Sequence, residues 1–134
     1  MTNCKGVNTP MVPGIVLTNE DYPRDEAKAM EHKPYRRLIG SLMYLVDNTQ
    51  PDIAYVVFRF SQFNINPGPT HWKIAKRIVQ YLQNTKDYGL CYCQDAGFKI
   101  ESYSDASWAS LKDDSKSFLG GCTVARDAVV IWIS

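Results

Sequence analysis

The residue most suited to metal chemistry lies in the segment YSDASW, residues 103–108, where Asp105 stands between two aromatic side chains. Alternation along FKIESYSDASW places Asp105 on the same strand face as Glu101 and Tyr103, at the point where the strand leaves its sheet. A carboxylate in this position could bind a metal ion. A metal site of this kind would need further carboxylates close to Asp105.

A second group of candidate residues lies on a helix predicted in PTHWKIAKRIVQYLQNTK, residues 69–86. Thr70 is the predicted N-cap, and apolar residues at helical spacing form a core stripe (Trp72, Ala75, Ile78, Val79 and Leu82). The opposite face is basic, with Lys73, Lys76 and Arg77 beside Gln80. Positive charges at this spacing can follow a phosphate backbone. The alternative interpretation is an ordinary solvated helix surface.

The cysteines predict no metal or redox centre. Cys91 and Cys93 form a C-x-C pair, but Cys4 and Cys122 are distant in sequence and the chain has only two histidines. This spacing forms neither a zinc cluster nor a C-x-x-C motif. We therefore expect the cysteines to behave as small apolar residues and the protein to reside in a reducing compartment.

Composition and charge exclude several classes of protein. The chain has 134 residues, 45% of them hydrophobic, and a formal net charge of +1, so no global charge attracts it to nucleic acid or membrane. No secretion signal and no apolar stretch of spanning length occurs. We therefore expect an intracellular protein, cytoplasmic or nuclear, without a membrane partner, or a part of something larger.

Three regions position these candidate sites. Residues 1–33 are rich in proline and predict an extended arm, poorly ordered unless a partner holds it. Residues 34–87 predict three helices, in PYRRLIGSLMYLV, TQPDIAYVVFRFSQF and the basic segment above. Residues 88–134 predict strands in YGLCYC, FKIESYSDASW and SFLGGCTVARDAVVIWIS, the last with a turn near residues 125–128. The predicted fold class is α+β, a small helical bundle followed by an antiparallel β-meander.

Several segments, taken in order, resemble one family. YRRLIGSLMYL, QPDIAYVVFRFSQF, HWKIAKRIVQYLQNTKDYGLCY, and YSDASWAS followed by DDSKS are similar to the end of the reverse transcriptase and the start of the ribonuclease H region in Pol polyproteins of copia-type (Ty1/copia) retrotransposons. The leading NCKGVNTPM resembles the same polyproteins just upstream. The resemblance covers nearly the whole chain.

The resemblance implies a role for each candidate site. The helices would correspond to the thumb and connection that grip template-primer duplex, so Lys73, Lys76 and Arg77 are expected to contact an RNA–DNA hybrid or duplex. The strands would form an incomplete ribonuclease H-like sheet. Asp105 matches the first catalytic carboxylate of a nuclease that uses two Mg²⁺ ions. The palm with its metal-binding aspartates is absent from the matched segments, so no polymerase chemistry is expected.

Asp105 is expected to be insufficient for catalysis alone. The remaining acidic candidates, Asp113 and Asp114, are more simply loop residues, and Asp127 suits a hairpin turn. SFLGGC and ARDAVVIWIS also depart from the family pattern. We therefore expect that this chain does not hold Mg²⁺ stably. We also expect an open sheet edge and an apolar face that includes Val129, Ile131 or Trp132 to cause self-association.

Three functions remain open at this point. The chain could be a truncated remnant with weak, salt-sensitive binding to hybrid or duplex. It could be a portion of an active Pol polyprotein whose nuclease works only with the rest of that polyprotein. It could instead be a co-opted module that binds protein through the open sheet edge.

Overall fold

The computed structural model describes residues 5–12, 14, 30, 32–95, 97, 99–107 and 118–134. The chain divides into two compact units, Met1–Tyr88 and Gly89–Ser134. The first unit contains three α-helices in its described part, and the second contains a three-stranded antiparallel sheet. The predicted α+β class is therefore confirmed. Most of the predicted arm and the loop with Asp113 and Asp114 lie outside the described residues.

The three predicted helices are present with adjusted bounds. Helix α1 spans Tyr35–Asn48, α2 spans Ala54–Ser61 and α3 spans Pro69–Asn84. A 3₁₀ turn, Pro51–Ile53, leads directly into α2, with its proline at the start where a missing N–H costs nothing. No helix in the part of the chain that the structure describes is long and apolar enough to cross a membrane.

The helical unit is held together by apolar side chains from all three helices and the 3₁₀ turn. Those excluded from solvent are Ile39, Leu42 and Val46 of α1, Ile53 of the turn, Val56, Val57 and Phe60 of α2, and Ile74, Ala75 and Ile78 of α3. Complete burial of a Val, Ile, Leu or Phe side chain contributes about 1.5 to 3 kcal/mol each. The Tyr35 hydroxyl adds a buried hydrogen bond to the carbonyl oxygen of Phe60, 2.9 Å away.

The sheet unit is an antiparallel meander with the order β1-β2-β3. Strand β1 spans Ile100–Ser107, β2 spans Phe118–Ala125 and β3 spans Ala128–Ile133. Strands β2 and β3 join through a two-residue turn, Arg126 and Asp127, as the sequence predicts. Both residues have positive φ, 53° and 64°, which is the mirror-image turn whose twist matches a hairpin.

The strand predicted in YGLCYC is wrong. Residues 88–93 form no strand, although part of this segment lies beside the β2–β3 hairpin. The Cys93 N–H donates to the Arg126 carbonyl oxygen at 3.4 Å, and the Tyr92 hydroxyl donates to the Val129 carbonyl oxygen at 2.9 Å. These are isolated contacts to a turn and a neighbouring residue, whereas a strand requires a repeating ladder of backbone hydrogen bonds.

Candidate nucleic-acid interface

Helix α3 begins two residues earlier than predicted, with Gly68 and not Thr70 as its N-cap. Gly68 is extended (φ −96°, ψ 172°), and Pro69 occupies the first turn. The Gly68 N–H donates to Nδ1 of His71 at 2.9 Å. The imidazole of His71 therefore accepts a hydrogen bond from the backbone N–H of the N-cap residue itself. Thr70 is exposed.

The core-facing side of α3 is rotated relative to the predicted stripe. Its buried residues are His71, Ile74, Ala75 and Ile78, whereas Trp72, Val79 and Leu82 are partly exposed. The ring of His71 lies 4.2 Å from the ring of Phe63, which covers the start of the helix. Ala75 and Ile78 therefore face the core as predicted, and His71 and Ile74 complete the buried side of the helix.

The structure separates the three predicted basic residues into two kinds. Lys73 and Lys76 are exposed, at a spacing of three residues on one helix face. Arg77 is partly buried, and its Nη2 donates to the hydroxyl oxygen of Thr9 at 3.0 Å. Its Nε is buried and has no acceptor among the described residues. The two lysines are accessible to a phosphate backbone, and the arginine is occupied by another part of the chain.

The residue that occupies Arg77 belongs to a segment that we call the N-terminal strap, residues 5–12. Beyond the Thr9 contact, Asn84 at the end of α3 donates through Nδ2 to Oδ1 of Asn8 at 3.2 Å. A Cβ on Gly6 would lie 2.6 Å from Oδ1 of Asn84, so a larger residue there would force the strap or the Asn84 side chain to shift. The strap contacts were not predicted from the sequence, which indicates only a proline-containing arm.

The position of α3 is also fixed on the side of the 3₁₀ turn. The Tyr81 hydroxyl donates to Oδ2 of Asp52 at 2.6 Å. This hydrogen bond, with smaller effects of burial and of the nearby negative charge, raises the pKa of Tyr81 from 10.0 to about 12. The helix that carries the lysines is thus tied to the rest of its unit by both hydrophobic and polar contacts.

Asp105 lies in the sheet unit, exposed on β1 and opposite Gly120 of β2. The strand alternation places it on the face of Tyr103 and Glu101, as predicted. Glu101 and Asp105 are four positions apart on the strand, which corresponds to about 13 Å along it. Glu101 also forms an ion pair with Lys99 at 2.6 Å, which raises the pKa of that lysine.

The donor set around Asp105 does not fit a pair of Mg²⁺ ions. Within the described ranges, no three His, Cys, Asp or Glu side chains lie close enough together to hold a metal ion. Mg²⁺ in proteins is octahedral and is bound by one or more carboxylates with water or phosphate oxygens, and a two-metal site needs several carboxylates that converge. Asp113 and Asp114 lie outside the described residues.

The known proteins to which this chain is similar include retrotransposon polyproteins and a secreted effector. The retrovirus-related Pol polyproteins from transposon RE1 of Arabidopsis thaliana and transposon TNT 1-94 of Nicotiana tabacum are each 36% identical over the whole of this chain. The chain spans only 9% and 10% of their lengths. The secreted RxLR effector protein 161 of Plasmopara viticola is 39% identical over 105 residues, which are 78% of this chain and 74% of that protein.

The chain belongs to the family of retrovirus-related Pol polyproteins from copia-type retrotransposons. The resemblance drawn from the sequence segments is therefore confirmed at the level of the family. No protein-family model matches the chain, and no solved structure matches it. The boundary between a reverse-transcriptase part and a ribonuclease H part stays a prediction.

Proposed function

We propose that the helical unit binds the phosphate backbone of an RNA–DNA hybrid or duplex, in the manner of the thumb and connection of a reverse transcriptase. The observation that supports this proposal is the exposed pair Lys73 and Lys76 on α3. The two ammonium groups project from neighbouring positions of a helix that is held in place on its buried side. They can therefore contact successive phosphates without rearrangement of the core.

The binding we propose is weak, sensitive to salt and independent of base sequence. Each phosphate neutralised by a cation adds about 0.9 to the slope of log affinity against log salt for B-form DNA, so two lysines give a slope near 2. Lysine is a point charge on a flexible stem and reads no base edge when it contacts phosphate. A protein that grips duplex during polymerisation requires this kind of contact.

The sheet unit is, in the same proposal, an incomplete ribonuclease H-like sheet, and Asp105 is its first catalytic carboxylate. The described residues form no group of three possible metal ligands, so the proposal includes no nuclease activity for this chain alone. The rest of a Pol polyprotein would be the partner that supplies the missing carboxylates and, with them, a site for Mg²⁺. This part of the proposal is supported by the strand face of Asp105 and by the family.

The test is binding to a fluorescently labelled RNA–DNA hybrid, measured by anisotropy over a series of salt concentrations with Mg²⁺ present. The double variant Lys73→Ala/Lys76→Ala should bind about tenfold more weakly at low salt, with a salt slope that is smaller by about 2. The matched control is Arg36→Ala/Arg37→Ala, which removes two exposed positive charges from α1 of the same unit. Equal losses in both double variants would contradict an interface on α3.

The same samples test the nuclease part of the proposal. After each titration, the hybrid is run on a denaturing gel, and we expect intact RNA. Cleaved RNA in the wild type that is absent with Asp105→Ala would overturn the statement that this chain alone is not a nuclease. Cleavage that persists with Asp105→Ala would indicate a contaminating enzyme, and the preparation would then be repurified before the comparison is made.

The sheet unit supports a second proposal, association through protein contacts. Strands β1 and β3 are the two edges of the described sheet, and large apolar side chains on it are exposed, including Leu119, Ile131 and Ile133. Unpaired strand edges beside apolar surface favour pairing with another chain. We propose self-association of the sheet unit, with a foreign protein partner as the alternative occupant of the same surface.

A further inference from the structure

We propose that the N-terminal strap, residues 5–12, is an intramolecular cover that competes with nucleic acid for helix α3. With the strap docked, α3 offers two cations, Lys73 and Lys76. With the strap displaced, Arg77 becomes the third. This inference rests on the proposed function of α3 and adds its regulation.

The strap runs antiparallel to α3. Gly6 and Asn8 contact Asn84 at the end of the helix, and Thr9 contacts Arg77 about two turns nearer its start. The strap therefore lies along the side of α3 that contains Arg77. Lys73 and Lys76 remain exposed, whereas Arg77 is partly covered.

The strap satisfies Arg77 poorly. Thr9 provides a neutral hydroxyl oxygen to one guanidinium nitrogen, and the buried Nε has no acceptor among the described residues. A phosphate group accepts two parallel hydrogen bonds from a guanidinium, each assisted by charge. A phosphate also carries the charge opposite to that of the guanidinium, whereas the Thr9 hydroxyl oxygen is neutral and accepts one hydrogen bond. Arg77 therefore gains more from a phosphate than from Thr9.

The charge of the strap is consistent with a cover that is easily displaced. Its sequence, KGVNTPMV, contains no acidic residue, so it forms no ion pair with the basic side of α3. Its described polar contacts with α3 are two hydrogen bonds that are exposed to solvent. A polyanion brings negative charge to the same place, so it has an advantage over the strap that falls as salt rises.

The experiment loosens the strap within the full chain. The variant Gly6→Ala/Thr9→Val places a Cβ against Asn84 and removes the acceptor for Arg77, and it leaves every charge unchanged. The matched control, Gly89→Ala/Thr49→Val, adds the same atoms where a Cβ meets nothing within 4 Å and where the threonine is exposed. Release of the strap is measured separately, as the rate of trypsin cleavage after Lys5, detected by mass spectrometry.

We expect faster cleavage after Lys5 in the strap variant and not in the control, together with about five- to tenfold tighter binding to the labelled hybrid at low salt. The salt slope should increase by about 1, because one more phosphate contact releases one more counterion. Addition of Arg77→Ala to the strap variant should remove both the tighter binding and the larger salt slope.

The remaining outcomes overturn the inference in distinguishable ways. Faster cleavage with unchanged or weaker binding would mean that the strap does not cover the interface, and the proposed function would stand. Cleavage at the wild-type rate in the strap variant would mean that Gly6 and Thr9 do not hold the strap. If neither the wild type nor a variant with a released strap binds hybrid at low salt, the proposed function fails and this inference fails with it.

Discussion

The Tyr81 hydroxyl donates a 2.6 Å hydrogen bond to the carboxylate of Asp52, joining residues that are 29 positions apart in the chain. Asp52 lies in the 3₁₀ turn ahead of α2, and Tyr81 lies in the last part of α3. The bond therefore fixes the rotation of α3 about its axis at the end opposite to the Gly68 cap. The direction in which Lys73 and Lys76 project depends on both constraints.

This hydrogen bond predicts a loss of stability in alkali. The pKa of Tyr81 in the folded protein is about 12, above its ordinary value of 10.0, so folding favours the protonated phenol. Its contribution is complete below pH 10 and is lost as the pH rises through 12. Burial also raises the pKa of Tyr35, which acts in the same direction. The measurement is the denaturation midpoint between pH 8 and pH 12, followed by circular dichroism.

The variant Tyr81→Phe isolates the contribution of this pair. At pH 8 it should be less stable by about 0.5 to 1 kcal/mol, since one partly exposed hydrogen bond is lost. The difference between variant and wild type should then shrink as the pH approaches 12. A difference that stays constant over this range would show that titration of Tyr81 is not linked to folding. Tyr44→Phe, which alters an exposed hydroxyl, is the control and should have little effect.

The start of α3 predicts unequal effects of two adjacent substitutions. His71→Ala removes a buried ring and the acceptor for the Gly68 N–H, and should destabilise the helical unit by about 2 to 4 kcal/mol. Thr70→Ala alters an exposed side chain and should change stability by less than about 0.5 kcal/mol. Urea denaturation of both variants gives the comparison. A cost near 1 kcal/mol for Thr70→Ala would instead indicate that its hydroxyl caps the helix.

The β2–β3 turn predicts a stabilising substitution. Arg126 and Asp127 both have positive φ, a conformation that favours Asn and Gly over other residues. Arg126→Asn/Asp127→Gly should therefore stabilise the hairpin by about 0.5 to 1 kcal/mol. Hydrogen exchange of the β2 and β3 amides should slow accordingly. Ala125→Gly, at an ordinary strand position, should have the opposite effect, and slower exchange there would contradict this account.

The exposed apolar residues of the sheet predict association that depends on concentration. Ile131 and Ile133 are 61% and 55% exposed on the edge strand β3. Sedimentation velocity over a range of concentrations should show dimers or larger species for the wild type. Ile131→Lys should shift the distribution toward monomer, because a charge at a strand edge disfavours pairing. Tyr44→Lys in the helical unit is the control, and a monomer at all concentrations would overturn the proposed self-association.

Helix positions could be predicted from the sequence, because apolar residues at spacings of three and four define a buried face regardless of what covers it. The orientation of α3 could not, since His71 reads as a polar residue and only the packing of Phe63 makes it a core residue. The two strap hydrogen bonds join residues that are separated by 68 and 76 positions in the chain, and no local sequence pattern predicts such pairs.

In the sheet unit, too, features set by neighbouring residues could be predicted from the sequence, whereas the pairing of distant segments could not. Alternation with a period of two places Asp105 on its strand face, and the sequence around Arg126 and Asp127 indicates the turn. YGLCYC has the composition of a strand, but composition indicates only that a segment suits a sheet, not that a partner strand lies beside it. The roles of Asp105, Lys73, Lys76 and Arg77 stay predictions.

Gly6, near the start of the helical unit, lies beside Asn84, the last residue of α3. Two distant parts of the chain therefore lie side by side. A unit whose two ends lie side by side can be inserted into a surface loop of another protein without stretching either connection. Gly6 and Asn84 therefore lie close enough together for such an insertion. The same closeness would permit circular permutation, with residues 6 and 84 linked and a new break introduced at the exposed loop around Ile65.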